Sequence, residues 1–185
     1  MLAFEDSALP DVKIVMPKKH GDHRGFFSET WNRAAFAEAG IDIDFVQDNH
    51  SLSAAVGTLR GLHFQSPPFA QDKLVRVSRG RILDVAVDIR VSSPSFGKHV
   101  AVELSAENWK QLLVPAGFAH GFVTLESDTE VQYKVSAPYA PDNDHGLAFD
   151  DPALGIDWRL PLSALTLSDK DRKHPRLAEM LRYFD

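Results

Sequence analysis

Thr58-Leu-Arg-Gly-Leu-His63-Phe-Gln-Ser-Pro-Pro-Phe-Ala-Gln-Asp-Lys73-Leu-Val-Arg-Val-Ser-Arg-Gly80 reads as a strand, a loop broken by two prolines, and a second strand ending at a glycine turn. A half-buried strand alternates apolar and polar side chains. On the second strand Val75 and Val77 form the apolar series, and Lys73 falls in step with them. If the valines face a core, the lysine enters with them, and lysine is rarely buried without a partner. On the first strand His63 stands where an apolar residue is expected. A base and a cation directed into one interior make a candidate site; a hydrogen-bonded core histidine is the plainer alternative.

Further strands follow closely, at 81–89, 98–104, 110–114, 121–124 and 129–135, with earlier extended segments at 12–16 and 45–49. Gly80, Ser92-Ser93-Pro94, Gly97, Pro115, Gly117 and Ser127-Asp128 punctuate them. Short strands without intervening helices predict an all-β domain, a sandwich or barrel with a jelly-roll course. Asn32 is an N-cap for a short helix over 33–39 that Gly40 closes. A second helix is expected over 176–183, with Ser168 or Asp169 as a cap ahead of it. No linker divides the chain, so residues 1–185 read as one domain.

Composition narrows the function. No apolar run approaches the ~20 residues of a membrane span, and the N-terminus lacks a signal peptide's basic start. The sequence has no cysteine, which excludes disulfides, thiolate nucleophiles and cysteine-bound metals and fits a reducing cytoplasm. A net charge of −6 argues against nucleic acid as a partner. An anionic small substrate is compatible, because a local group of cations outweighs the global sign inside a cleft.

Pro115-Ala-Gly-Phe-Ala-His120-Gly reads as a tight turn presenting a second histidine, and its form P-x-G-x-x-H resembles the second motif of the cupin superfamily. Metal-dependent cupins carry H-x-H and a glutamate in the first motif. Here the matching stretch is His63-Phe-Gln65, with no glutamate before Gly80. That ligand set suits a metal poorly, so the barrel reads as metal-free. Arg24, Arg60 and Lys73 could together supply the positive charge a diphosphate requires, although each arginine alone reads as a solvated surface charge. Strand parity sets Arg60 and His63 on opposite faces unless a bulge intervenes. Gln47-Asp48-Asn49 reads as a polar turn. Tyr133 shares a face with Val131 and Val135, as a core aromatic or an interior acid. Tyr139 lies in a proline-flanked loop, where its ring could stack on a planar base.

Taken in order, Arg24-Gly-Phe-Phe-Ser-Glu29, Gln47-Asp-Asn-His-Ser51, Arg60-Gly-Leu-His-Phe-Gln65, Lys73-Leu-Val-Arg76, Pro115-Ala-Gly-Phe-Ala-His-Gly-Phe122, Tyr133-Lys134 and Leu167-Ser-Asp-Lys-Asp171 resemble the dTDP-4-dehydrorhamnose 3,5-epimerase family. The resemblance extends from about residue 12 into the C-terminal segment. It implies a cupin-type jelly-roll barrel and no cofactor. His63 would be the base, oriented by Asp171; Tyr133 the acid on the opposite face; and Lys73 the group that stabilises an enolate. Arg24, Phe27, Glu29, Gln47, Asp48, Asn49, Arg60, His120 and Lys170 would contact the nucleotide sugar, and Tyr139 would stack on thymine. The family's homodimers exchange N-terminal segments, so an arm of about residues 1–30 would pack on the partner, and Arg24 and Glu29 would serve the partner's site. One departure is local: where the family offers a glutamate near residue 144, this sequence reads Asp142-Asn-Asp-His145.

The chemistry suits these residue types. In the implied substrate, dTDP-4-dehydro-6-deoxy-D-glucose, a ketone at C4 acidifies the hydrogens on C3 and C5. Inverting either centre needs a base on one face, a donor on the other and stabilisation of the enolate between them. Histidine, with an ordinary pKa of ~6.5, serves as base near neutrality. Tyrosine, at ~10, is protonated at rest and can donate. A cation aimed at the enolate oxygen is worth about 3–4 kcal/mol. Rival readings are an epimerase acting at C3 or C5 alone, a non-catalytic nucleotide-sugar-binding cupin, and a metal-dependent oxygenase.

Overall fold

Residues 2–185 are described by the structure, a computed structural model. In chain order the strands are β1 (Leu2–Asp6), β2 (Lys13–Pro17), β3 (His20–Asp22) and β4 (Gly25–Phe27). After helix α1 (Arg33–Glu38) come β5 (Gln47–Ser53), β6 (Leu59–Gln65), β7 (Lys73–Arg79), β8 (Arg81–Asp88) and β9 (His99–Ser105). Last are β10 (Gln111–Val114), β11 (Phe118–Thr124), β12 (Thr129–Val135) and β13 (Asp144–Gly146). Two antiparallel sheets form a cupin-type jelly roll, one ordered β1-β2-β10-β7-β12-β5 and the other β13-β6-β11-β8-β9. β3 and β4 make a separate hairpin.

Period-two alternation sorts the apolar residues into three layers. Val75, Val77 and Val131 of one sheet meet Ile82, Ala86, Val100, Leu104 and Phe122 of the other, filling the space between them. On the outer face of the second sheet, Leu83, Val85 and Val87 lie under Leu147, Leu154 and Trp158 of the C-terminal part. On the outer face of the first, Val15, Leu74 and Leu113 receive Phe36 of α1. β8 is therefore covered on both sides.

α1 begins as expected. Asn32 Oδ1 accepts from the Ala35 amide at 3.1 Å, and Gly40 follows with φ +78°. Three readings need correction. His120 sits within β11 rather than in a turn, because all seven residues of that strand are buried and it runs on from the turn at Gly117. Gln47-Asp48-Asn49 opens β5 instead of forming a turn. The helix expected over 176–183 is a single 3-10 turn, Leu177–Glu179, after which Met180 is extended. So short a helix has little intrinsic stability. Here the extended path lets Met180, Tyr183 and Phe184 pack on the C-terminal layer.

Candidate active site

The strand pair of the opening stretch delivers its two polar residues inward. Lys73 is 8% exposed beside Val75 and Val77, both buried. Its Nζ lies 3.4 Å from the backbone oxygen of His63. Burial pulls the Lys73 pKa down to about 8, with Asp144 and Asp84 raising it less.

Arg60 and His63 are on the same side after all. His120 pairs with His63 and Phe122 with Arg60, so two residues of β11 span three of β6. That is a β-bulge, and it reverses the parity argument. Gly61 makes it possible: its φ is +135°, and a Cβ there would lie 2.5 Å from Gly121 Cα and 2.9 Å from the His120 oxygen. Leu59, Leu62 and Phe64 consequently face the outer layer, while Arg60 and His63 line a cavity between the sheets.

That cavity, about 260 Å³, is also walled by Lys73, His120, Tyr133, Lys170 and Asp171. A second lobe of about 360 Å³ shares His63, Lys73 and Tyr133 and adds Gln47, Asn49, Tyr139 and Asp144. His63 Nε2 lies 2.5 Å from Asp171 Oδ1. Asp171 is carried on a 3-10 turn, Asp171–Lys173, and its amide is held by Ser168 Oγ at 3.1 Å. Burial pushes the Asp171 carboxyl up, but the facing imidazoles of His174 and His63 outweigh that and hold it well below the usual carboxylate range. Burial also lowers His63, against the raising effect of Asp171. With Nε2 engaged, Nδ1 is the nitrogen of His63 left for a ligand. Tyr133 stands on the opposite sheet, where burial raises its hydroxyl and the Arg60 charge lowers it by less.

Several further groups were not legible as site residues. Asp84 is fully buried on β8 and binds His120 Nε2 at 2.8 Å, a second His–carboxylate pair beside the first. An acid inside Ile82-Leu83-Asp84-Val85-Ala86-Val87 was the available signal, since a buried carboxylate demands a partner. At the family's glutamate position it is Asp144 that enters the cleft, accepting from Tyr139 Oη at 3.0 Å and pairing with Lys170. His145 turns away, stacking on Tyr183 and bonding Ser66 Oγ at 3.1 Å. Gln65 is a strut whose amide nitrogen binds the Phe69 and Pro138 carbonyls and whose oxygen accepts from the Ala140 amide. It thereby fixes the loop that holds the exposed ring of Tyr139 at the rim.

Four sequence candidates lie outside. Arg24, Phe27 and Glu29 belong to the exposed β3–β4 region, with Arg24 turned onto Asp22 of its own hairpin at 2.5 Å. Asp48 points to the outer face of β5, opposite to Gln47 and Asn49, and pairs with Lys134 at 2.9 Å. The period of the strand dictates this.

Known proteins share this fold and much of this sequence. The profile of the family described as dTDP-4-dehydrorhamnose 3,5-epimerase matches residues 6–179. A protein of that name from Sinorhizobium fredii is 54% identical over 177 residues, covering 96% of this chain and 90% of the relative. Among solved structures, the dTDP-6-deoxy-D-glucose-3,5-epimerase of Legionella pneumophila in complex with dTDP-4-keto-L-rhamnose aligns with a TM-score of 0.93 at 42% identity, over 97% of this chain and 95% of that one. The Bacillus anthracis dTDP-4-dehydrorhamnose 3,5-epimerase with TDP and PPi bound gives 0.91 at 46% identity, over 95% and 99%. The match runs through both sheets and the C-terminal turn that carries Asp171, and the chain belongs to the dTDP-4-dehydrorhamnose 3,5-epimerase family.

Proposed function

We propose that this chain epimerises dTDP-4-dehydro-6-deoxy-D-glucose at C3 and C5, giving dTDP-4-dehydro-L-rhamnose, with His63 as base, Tyr133 as acid and Lys73 at the C4 oxygen. The observation that carries these roles is that His63 and Tyr133 project from opposing sheets into one cavity whose wall also holds Lys73. A 4-keto sugar held between the sheets would lose its α-proton to one and, as the planar enolate, take up a proton from the other.

The order of events follows from the environments. His63, lowered by burial, is neutral near pH 7 and takes the α-proton on Nδ1. The electron pair moves onto the C4 oxygen, where the Lys73 cation meets it. Asp171 fixes the tautomer and stabilises the imidazolium. Tyr133, kept protonated by burial, donates to carbon from the far side, and inversion results. Arg60, His120, Lys170, Gln47 and Asn49 line the two lobes and would contact the diphosphate and sugar, and the Tyr139 ring at the rim would stack on the base. No metal is assigned. The two cupin-like histidines, His63 and His120, each have Nε2 bonded to a carboxylate of their own.

The reading extends to a cytoplasmic homodimer. The exposure of the hairpin carrying Arg24 and Phe27, the latter 70% exposed, supports reading it as an arm that would complete a neighbouring copy's site, with Glu29 just beyond it. In that assembly, mixing inactive His63→Ala and Arg24→Ala chains should regenerate activity in the mixed dimer; strict absence of regeneration would confine each site to one chain. Among the described residues no helix is long and apolar enough to cross a membrane.

The deciding experiment is incubation of the substrate in D2O with NMR detection at each carbon. Deuterium is expected at both C3 and C5. Labelling at one centre alone would reduce the activity to a single-site epimerase, and none at either would remove the enzymatic reading.

A further inference from the structure

The mechanism above leaves one buried histidine unused. His174 follows the turn that bears Asp171, three residues on, with its side chain 8% exposed. Its Nε2 is buried with no hydrogen-bond partner among the described residues, and Asp171 Oδ1 lies 3.5 Å away. The same oxygen receives His63 Nε2 at 2.5 Å. The two imidazole rings meet edge to face, centroids 5.5 Å apart. One carboxylate oxygen is thus addressed by two histidines.

The surroundings are built around that ring. Gly146 of β13 pairs in register with His63 of β6, and a Cβ at Gly146 would collide with three atoms of the His174 ring. The missing side chain opposite the base is what admits the second histidine. Behind it the chain is tied down: the Ala148 amide donates to the Pro175 carbonyl at 2.8 Å, and Pro175 holds His174 extended, at φ −66° and ψ 143°. A ring fixed this tightly, with its buried Nε2 turned toward a carboxylate, has a role beyond filling space.

We propose that His174 is a positioning residue for the epimerisation, donating Nε2–H to Asp171 Oδ1 so that the carboxylate keeps its orientation while His63 gains and loses a proton. The proposal rests on the His63–Asp171 reading given above. Asp171 Oδ1 must accept from an imidazole whose charge changes twice per inversion. A second donor holds that oxygen in place when the His63 bond loosens. The separation of 3.5 Å is of the kind that tightens once substrate closes the site. The charged group facing the array within the cavity is Lys73, and the titratable one is His63 itself; Asp144 and Lys170 form their own pair nearby.

The test is a double-mutant cycle read by deuterium exchange at saturating substrate. His174→Leu should slow exchange about tenfold with KM unchanged, the effect of one hydrogen bond to a charged group. His174→Gln, which retains a donor at a similar reach, should recover most of the rate. In an Asp171→Asn background, His174→Leu should cost nothing more. Exchange at the parent rate in His174→Leu, or an equal loss in both backgrounds, overturns the proposal, the second outcome marking a packing role. If Asp171→Asn itself exchanges at the parent rate, the His63–Asp171 reading fails and this one with it, a result distinct from failure at His174 alone. Should His174→Leu not fold, Gly146→Ala displaces the ring with the histidine retained and is judged by the same two backgrounds.

Discussion

Two His–carboxylate pairs sit side by side on neighbouring strands, and only one of them opens widely onto the cavity. His63 and His120 are register partners on β6 and β11, and each presents Nε2 to an aspartate, at 2.5 Å from Asp171 and 2.8 Å from Asp84. The difference is access. The His63 side chain is 33% exposed, toward the cavity, whereas His120 is 8% exposed and Asp84 fully buried. The carboxylates differ too. Asp171 comes from a C-terminal turn laid against β6, while Asp84 is part of the barrel wall and keeps Oδ2 without a hydrogen bond. A His–Asp pair therefore does not define a catalyst; its position relative to the space where substrate fits does.

The largest effect should come from breaking the accessible pair. Positioned bases contribute roughly 10²–10⁴-fold, so His63→Ala is expected to lower deuterium exchange by that factor with the fold intact. His120→Asn, which keeps a donor beside Asp84, should leave exchange within about tenfold and act mainly on KM. Comparable losses of exchange in the two variants would erase the distinction between the pairs.

The buried pair should dominate stability instead. Removing the partner of a buried carboxylate leaves it uncompensated and costs about 3–5 kcal/mol. His120→Leu strands Asp84 in this way. At about 2–4 °C per kcal/mol for a domain of this size, thermal unfolding should fall by at least about 6 °C. The double variant His120→Leu/Asp84→Leu should recover much of it, since two apolar residues replace the pair. A single variant as stable as the parent would mean that water reaches Asp84.

How much of this was readable beforehand depended on whether the signal was local. The inward Lys73 followed from the valines in step with it, and the barrel from strand spacing. The faces of Arg60 and His63 did not follow, because one bulge at Gly61 shifts every side chain beyond it. Asp171 as the partner of His63 came through family resemblance; no period links residues 108 apart in sequence. Asp84 and Gln65 were hidden for a related reason. Their roles are set by what lies opposite in the closed barrel, the His120 ring for one and the loops at Phe69 and Pro138 for the other. The short C-terminal turn was likewise decided by packing and not by propensity.

Lys73 connects the two pairs, since it donates to the His63 carbonyl and feels the charge of Asp84. Its pKa of about 8 in the folded state compares with ~10.4 in an unfolded chain. The unfolded state then binds the extra proton between those values, so stability rises with pH across about 8 to 10 and the buried cation is a cost at pH 7. Lys73→Met should be more stable than the parent at pH 7, by at most about 3 kcal/mol from the size of that shift. The advantage should shrink as pH climbs through 8 toward 10, where the parent sheds the proton. The same substitution should lower exchange by roughly 10²–10³-fold, the loss found when an aimed donor is removed. Activity and stability would thus move in opposite directions at one residue. If Lys73→Met is instead destabilised at pH 7, with no dependence on pH up to 10, then substrate is not what the charge is waiting for. Asp84 and Asp144 would already neutralise Lys73 in the empty site, and its attraction for an enolate would be correspondingly weak.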